Sequence, residues 1–219
     1  MARDASDTRE RLVAEARRLF ASEGVYRVKV ADIVAAAGQR NPSALTYHFG
    51  SRGGVLREIL DRHNAPIDLA RGQYLAALGD DPSTRDLVAT LLRPYSTQLE
   101  TLEGRQYLRI VNQLGTEVTD WNFDVGAVAG ANLQRVFRLL LARPEHLAVE
   151  LRRDRLLGAV ILMTGSMAER ARHIDAGDIV VPSDAETHLV NLADMLVGLL
   201  DAEHRGQLPL LTSARLVGS

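Results

Sequence analysis

Apolar residues recur at helical spacing along nearly the whole chain. Leu12, Val13, Ala16, Leu19 and Phe20 predict a first helix with Leu12, Leu19 and Phe20 inward and Arg9, Arg11, Arg17 and Arg18 outward. Asp7-Thr8-Arg9-Glu10 has capping-box spacing and is expected to open it, and Gly24 fits a left-handed stop. Val30, Ile33, Val34 and Ala37 form the stripe of a second helix running into Gly38. A third, very short helix starts at Asn41-Pro42, because asparagine is a strong N-cap and proline is pre-organised for the first helical position. Its Leu45 and Phe49 point inward, and a fourth helix starts near Ser51 with Val55, Leu56, Ile59 and Leu60.

The helical pattern continues beyond His63. Ser83 to Asp86 opens a helix holding Leu87, Leu91 and Leu92, and residues 104–118 put Tyr107, Val111, Leu114 and Val118 on one face. Residues 123–142 predict a long helix with Leu133, Val136, Phe137, Leu140 and Leu141 inward, ended by Arg143-Pro144. Two C-terminal helices are expected over about 147–175 and 184–203, the second opened by a capping box from Ser183 to Glu186. Both carry apolar residues on more than one face, whereas a surface helix of a monomer needs a single stripe. The wider coverage implies an internal core or a second subunit. No strand pattern persists, so the expected class is all-α.

Composition narrows the chemistry. The 219-residue chain is 46% hydrophobic and 25% charged, which suits a globular fold, and it has no cysteine for thiolate metal sites or cysteine nucleophiles. The first residues lack the apolar core of a signal peptide, and the apolar run Leu156–Met163 is far too short to span a bilayer, so a cytoplasmic protein is expected. Net charge is only −2, but residues 1–62 carry 11 Lys/Arg against 8 Asp/Glu. A basic end on an acidic body suits one-faced docking on a polyanion. There is no Gly-Lys phosphate loop, Gly-x-Ser-x-Gly elbow, His-Glu-x-x-His or dinucleotide fingerprint. Glu169, His173 and Asp175 are explained by a charged helix end rather than a metal site. No catalytic residue, cofactor or metal is expected.

The span VADIVAAAGQRNPSALTYHFGSR, residues 30–52, has the outline of a helix-turn-helix, whose second helix can enter the DNA major groove. Over about residues 7–62 the chain resembles the TetR (tetracycline-repressor-like) family. The features carrying this are Leu19-Phe20 with Gly24, Asp32-Ile33-Val34, Ala37-Gly38, Ala44-Leu45, Tyr47-His48-Phe49 and Ser51-Arg52. The resemblance implies a three-helix DNA-binding head at 1–50 and a linking helix at 51–63. It also implies a helical effector-binding and dimerisation body at 64–205, leaving 206–219 as a loosely held tail. It further implies a dimer on double-stranded, near-palindromic operator DNA, and the expectation adopted is a repressor that is homodimeric through the two C-terminal helices. Release by a small, largely apolar effector is expected, with no membrane partner.

By position, Lys29, Gln39, Arg40, Asn41, Ser43, Thr46, Tyr47, His48 and Arg52 are the DNA-binding candidates. Arg40 can read guanine or meet a phosphate. Tyr47 suits a phosphate or sugar contact, or packing against the first helix; His48 suits a phosphate-side donor or a base reader. Gln39 and Asn41 divide between capping and contact. Lys29 stands where the family usually has a capping threonine, and Thr46 where it commonly has tyrosine. The turn from Gly38 to Pro42 is one residue longer than the common form. In the body, Tyr95, Tyr107, Val111, Leu114, Trp121, Phe123, Phe137, Met163 and Met167 are candidates for a mostly apolar ligand pocket, or simply for core. The alternative is a helical small-molecule-binding or enzymatic protein with a DNA-incompetent head, a reading to which Lys29 and Thr46 give room.

Overall fold

The computed structural model describes residues 2–41, 43–115, 130–178, 184–204 and 206. Among these, nine α-helices and one 3-10 turn appear and no strand: α1 (Ala2–Glu23), α2 (Val30–Ala36), α3 (Ser43–Phe49), α4 (Arg52–Ala77), α5 (Thr84–Ser96), the turn (Thr97–Leu99), α6 (Leu102–Gly115), α7 (Ala131–Leu141), α8 (Val149–Ala176) and α9 (Ala185–Asp201). No described helix is long and apolar enough to cross a membrane.

The first three helices close on Leu12, Phe20, Ile33 and Leu45, all fully buried, with Val55 and Ile59 of α4 completing the core. Each such side chain contributes about 1.5–3 kcal/mol of hydrophobic stabilisation. Gly24 (φ 110°) and Gly38 (φ 69°) take left-handed backbone at the ends of α1 and α2, where a Cβ would be strained. Asn41 acts as a cap for α3, its Oδ1 accepting from Ser43 N at 2.9 Å. Pro42 lies outside the described residues. Ser51 caps α4 by accepting from Gly54 N at 3.0 Å.

Several boundaries differ from the pattern-based expectation. α1 begins at Ala2, upstream of the Asp7–Glu10 signal, because no glycine or proline precedes it to stop the helix. α4 does not end at His63. It runs through Pro66 to Ala77, its buried Ile67 and Leu75 outweighing the proline's missing donor. α6 ends its described part at Gly115, and Val118 lies outside the described residues. α7 starts at Ala131 rather than 123, residues 116–129 not being described. α9 is capped by Asp184, which accepts from Thr187 N at 2.8 Å; Ser183 lies outside the described residues.

Two outward arginines of the sequence reading are turned inward. Arg17 Nε donates to Gln106 Oε1 of α6 at 3.0 Å. Arg9 reaches Glu58 of α4 at 2.7 Å and sits over the Phe49 ring. Neither contact can be read from the periodicity of α1 alone. In the body, α6 packs on α8, and α9 packs on both α5 and α8. Apolar surface remains outside this packing on the last two helices, with Ile161 46% and Met195 42% exposed.

Candidate nucleic-acid interface and effector cavity

The head presents α3 outward by burying Leu45 and half-burying Phe49, which leaves the intervening positions for solvent. Tyr47 is 82% exposed and meets His48 edge-to-face at 5.0 Å. Arg40, Asn41, Ser43 and Thr46 are exposed beside it, Lys29 is exposed at the start of α2, and Gln39 and His48 are half-buried. Lys29 occupies the N-cap position of α2 with extended backbone. An ammonium has no lone pair to cap with, so only the return half of a capping box forms: Asp32 Oδ2 accepts from Lys29 N at 2.9 Å. The lysine's charge is left at the head surface.

Arg52 behaves differently from the other candidates. Its Nη1 donates to the Val25 carbonyl and its guanidinium lies 5.5 Å over the Phe20 ring. It ties the start of α4 to the α1–α2 junction.

Beneath the head lies a cavity of about 450 Å³, within the range of small-molecule sites. α4 supplies its longest wall, from Gly53, Leu56, Arg57 and Leu60 near the head to Asn64, Ile67, Asp68 and Arg71. Tyr95 of α5 and Tyr107, Val111 and Leu114 of α6 face the same space, as do Leu133 and Phe137 of α7 and Val160, Met163 and Thr164 of α8. Six of the pocket candidates therefore converge: Tyr95, Tyr107, Val111, Leu114, Phe137 and Met163. Met167 does not line the cavity; it is fully buried in the core one turn further along α8. Trp121 and Phe123 lie outside the described residues.

The polar wall was missed by the sequence reading. A signal existed, since Asn64 and Arg71 interrupt the apolar ladder Leu60, Ile67, Leu75 of α4, and polar groups on a buried stripe are the informative exception. Tyr107 donates to Asn64 Oδ1 at 2.5 Å and its ring stacks on His63 at 4.6 Å. Asp68 accepts from Asn132 N at 3.2 Å and Leu133 N at 2.9 Å, starting α7, and lies 3.3 Å from Arg71 Nη1. Burial pushes both phenols, Tyr95 and Tyr107, up, so they stay protonated donors at neutral pH. Burial also lowers the Arg71 guanidinium, against the pull of Asp68, and lowers the His63 imidazole, against its bond to Gln98. Among the described residues no group of three His, Cys, Asp or Glu could hold a metal ion.

Head and cavity share two walls. α4 carries the ion-pair cluster in which Arg62 meets Glu10 at 2.6 Å and Glu58 at 2.8 Å. α6 holds the head directly: Gln113 Oε1 accepts from Val25 N at 2.7 Å, and its Nε2 donates to the Phe20 carbonyl at 3.1 Å.

No curated protein sequence matches the chain significantly. Among solved structures it is similar to a putative TetR-family transcriptional regulator from Rhodococcus sp., with 18% identity, 87% of this chain and 98% of that chain covered, and a TM-score of 0.49. It is likewise similar to a TetR-family transcriptional regulator from Streptomyces coelicolor, with 24% identity, 89% and 95% coverage, and a TM-score of 0.47. A third such structure is the SmeT–triclosan complex, with 23% identity, 93% and 98% coverage, and a TM-score of 0.46. Residues 12–59, spanning α2, α3 and most of α1 with the start of α4, match the family described as Bacterial regulatory proteins, tetR family. Over those residues the chain is similar to the helix-turn-helix head of bacterial regulatory proteins of the tetR family.

Proposed function

We propose that the chain is a homodimeric repressor, released from a near-palindromic operator when a small, largely apolar effector fills the cavity beneath the head. The observation that carries this reading is the dual role of α6, whose Tyr107, Val111 and Leu114 line the cavity while Gln106 and Gln113 grip α1 and the α1–α2 junction. A ligand that spreads or tilts α6 or α4 moves the head with it. Two recognition helices must meet successive major-groove faces about 34–36 Å apart. A few kcal/mol of preference for another head spacing suffices for release, since each 1.4 kcal/mol is tenfold.

On the head, Lys29, Gln39, Arg40, Asn41, Ser43, Thr46, Tyr47 and His48 form the proposed DNA face. The exposure of Tyr47 supports a phosphate or sugar contact over packing on α1. Arg52 we assign to the joint between head and α4, given its inward bonds. The second subunit is proposed to dock on α8 and α9, where Ile161, Val190 and Met195 are exposed. We further propose that residues 1–50 work as the DNA-binding unit and 64–205 as the effector and dimer unit.

The test is a fluorescence-anisotropy titration of the full chain against DNA flanking its own gene, repeated at rising salt. Sequence-selective nanomolar binding that weakens steeply with salt supports the reading. Weak, sequence-blind association would overturn it in favour of a small-molecule-binding protein with a DNA-incompetent head.

A further inference from the structure

Arg71 of α4 and Tyr95 of α5 lie near one another on the cavity wall. Arg71 is 5% and Tyr95 4% exposed, and both line the space. Arg71 Nε and the Tyr95 hydroxyl have no hydrogen-bond partner. Buried donors, a charged one above all, are costly to leave unmade, so two of them on residues that line one cavity point to an acceptor that arrives with a ligand.

The charge of that ligand follows from the state of Asp68. Its carboxylate does not belong to Arg71 alone. Oδ1 also accepts from Leu133 N at 2.9 Å, and Oδ2 from Asn132 N at 3.2 Å and Asn132 Nδ2 at 3.2 Å. These amides open α7, where the helix dipole already favours negative charge. The carboxylate is shared between a helix start and a guanidinium. Arg57 is a second cation on the cavity wall, and Asp68 is the sole carboxylate among the described lining residues. Apolar walls then keep the field of the under-compensated guanidinium from being screened.

We propose that the effector is an amphipathic organic anion, its carboxylate seated on Arg71 and the Tyr95 hydroxyl and its apolar body lying along Leu60, Val111, Leu133, Phe137 and Met163. A planar guanidinium fork matches the two oxygens of a carboxylate, and a phenol adds a donor from α5. The inference rests on the cavity being the effector site and adds the ligand's charge class.

The test uses the full chain and two matched pairs of probes, decanoate with 1-decanol and 2-naphthoate with 2-naphthalenemethanol, by calorimetric titration at neutral pH. The expected result is that a carboxylate binds roughly tenfold or more tighter than its alcohol, as a charge-assisted pair should. Arg71→Gln brings the two within a few-fold of each other by weakening the carboxylate alone, while Arg71→Lys retains part of the preference. If Arg71→Gln does not fold by circular dichroism, the wild-type ranking and Arg71→Lys still decide. Parity within both wild-type pairs, or preference for the alcohols, overturns the anion assignment and leaves the cavity as an effector site for neutral molecules. Binding of neither pair overturns both readings. A carboxylate that binds through Arg71 yet leaves operator affinity unchanged supports the anion site and overturns its regulatory role.

Discussion

Tyr47 and Arg52 were equivalent candidates by position, yet their surroundings separate them. The phenol stands in solvent, whereas the guanidinium caps a carbonyl and covers a ring inside the head. Arg40 is exposed at the turn before α3 and is a proposed DNA contact. Arg40→Ala is expected to cost about 1–3 kcal/mol of operator affinity and to relax one base position if it reads guanine. A loss equal across operator variants, measured by anisotropy, would make it a phosphate contact instead. His63 gives a residue-level prediction for stability. Burial holds its imidazole below the ordinary value of about 6.5. Its contribution is therefore complete above that value, and declines as pH falls below it, because the unfolded chain takes up a proton that the folded one refuses. Urea midpoints should fall between neutral pH and the mildly acidic range, and His63→Gln should flatten the slope; an unchanged slope would exclude His63 as its source.

At the scale of elements, α6 is the helix whose importance the sequence concealed. Its apolar stripe was legible as Tyr107, Val111 and Leu114, and these residues do converge on the cavity. Its polar residues Gln106 and Gln113 carry no sequence signal of their own, and they are the grip on the head. Glutamine has both a donor and an acceptor, and Gln113 uses one of each on two backbone groups that end α1. Gln113→Ala leaves the Val25 amide and the Phe20 carbonyl without this partner, a cost of about 1–3 kcal/mol in stability. It should also shrink the effect of ligand on operator affinity while leaving ligand affinity itself nearly unchanged. Equal coupling in wild type and variant, from paired titrations, would assign transmission to α4 alone. The α4 boundary teaches the same lesson. Pro66 brings no backbone donor, yet the helix continues past it because Ile67, Arg71 and Leu75 are all buried against the body.

For the whole molecule, the question is what covers the outer faces of α8 and α9. The sequence already indicated more apolar coverage than one stripe requires, and in a single chain Ile161, Val190 and Met195 stay exposed. The double variant Ile161→Glu with Met195→Glu should shift the protein from dimer to monomer in light scattering, since like charges would face each other across a two-fold interface. Operator affinity should fall by orders of magnitude, because each half-site then binds without its linked partner. A dimer of undiminished stability in that variant would move the interface elsewhere.

The sequence by itself determined the helical class, the head and the sites of most caps. Those signals are local: Asn41 and Ser51 bond amides two or three residues on, and Gly24 and Gly38 meet a backbone need at their own positions. Only the tertiary structure decided the polar wall of the cavity and the grip on the head. Asp68 meets Leu133 across 65 residues, and Gln113 meets Phe20 across 93. Periodicity reports which face of a helix is buried, but not which distant polar group will be waiting there. That pairing exists only once hydrophobic burial has brought α4, α5, α6 and α7 around one space.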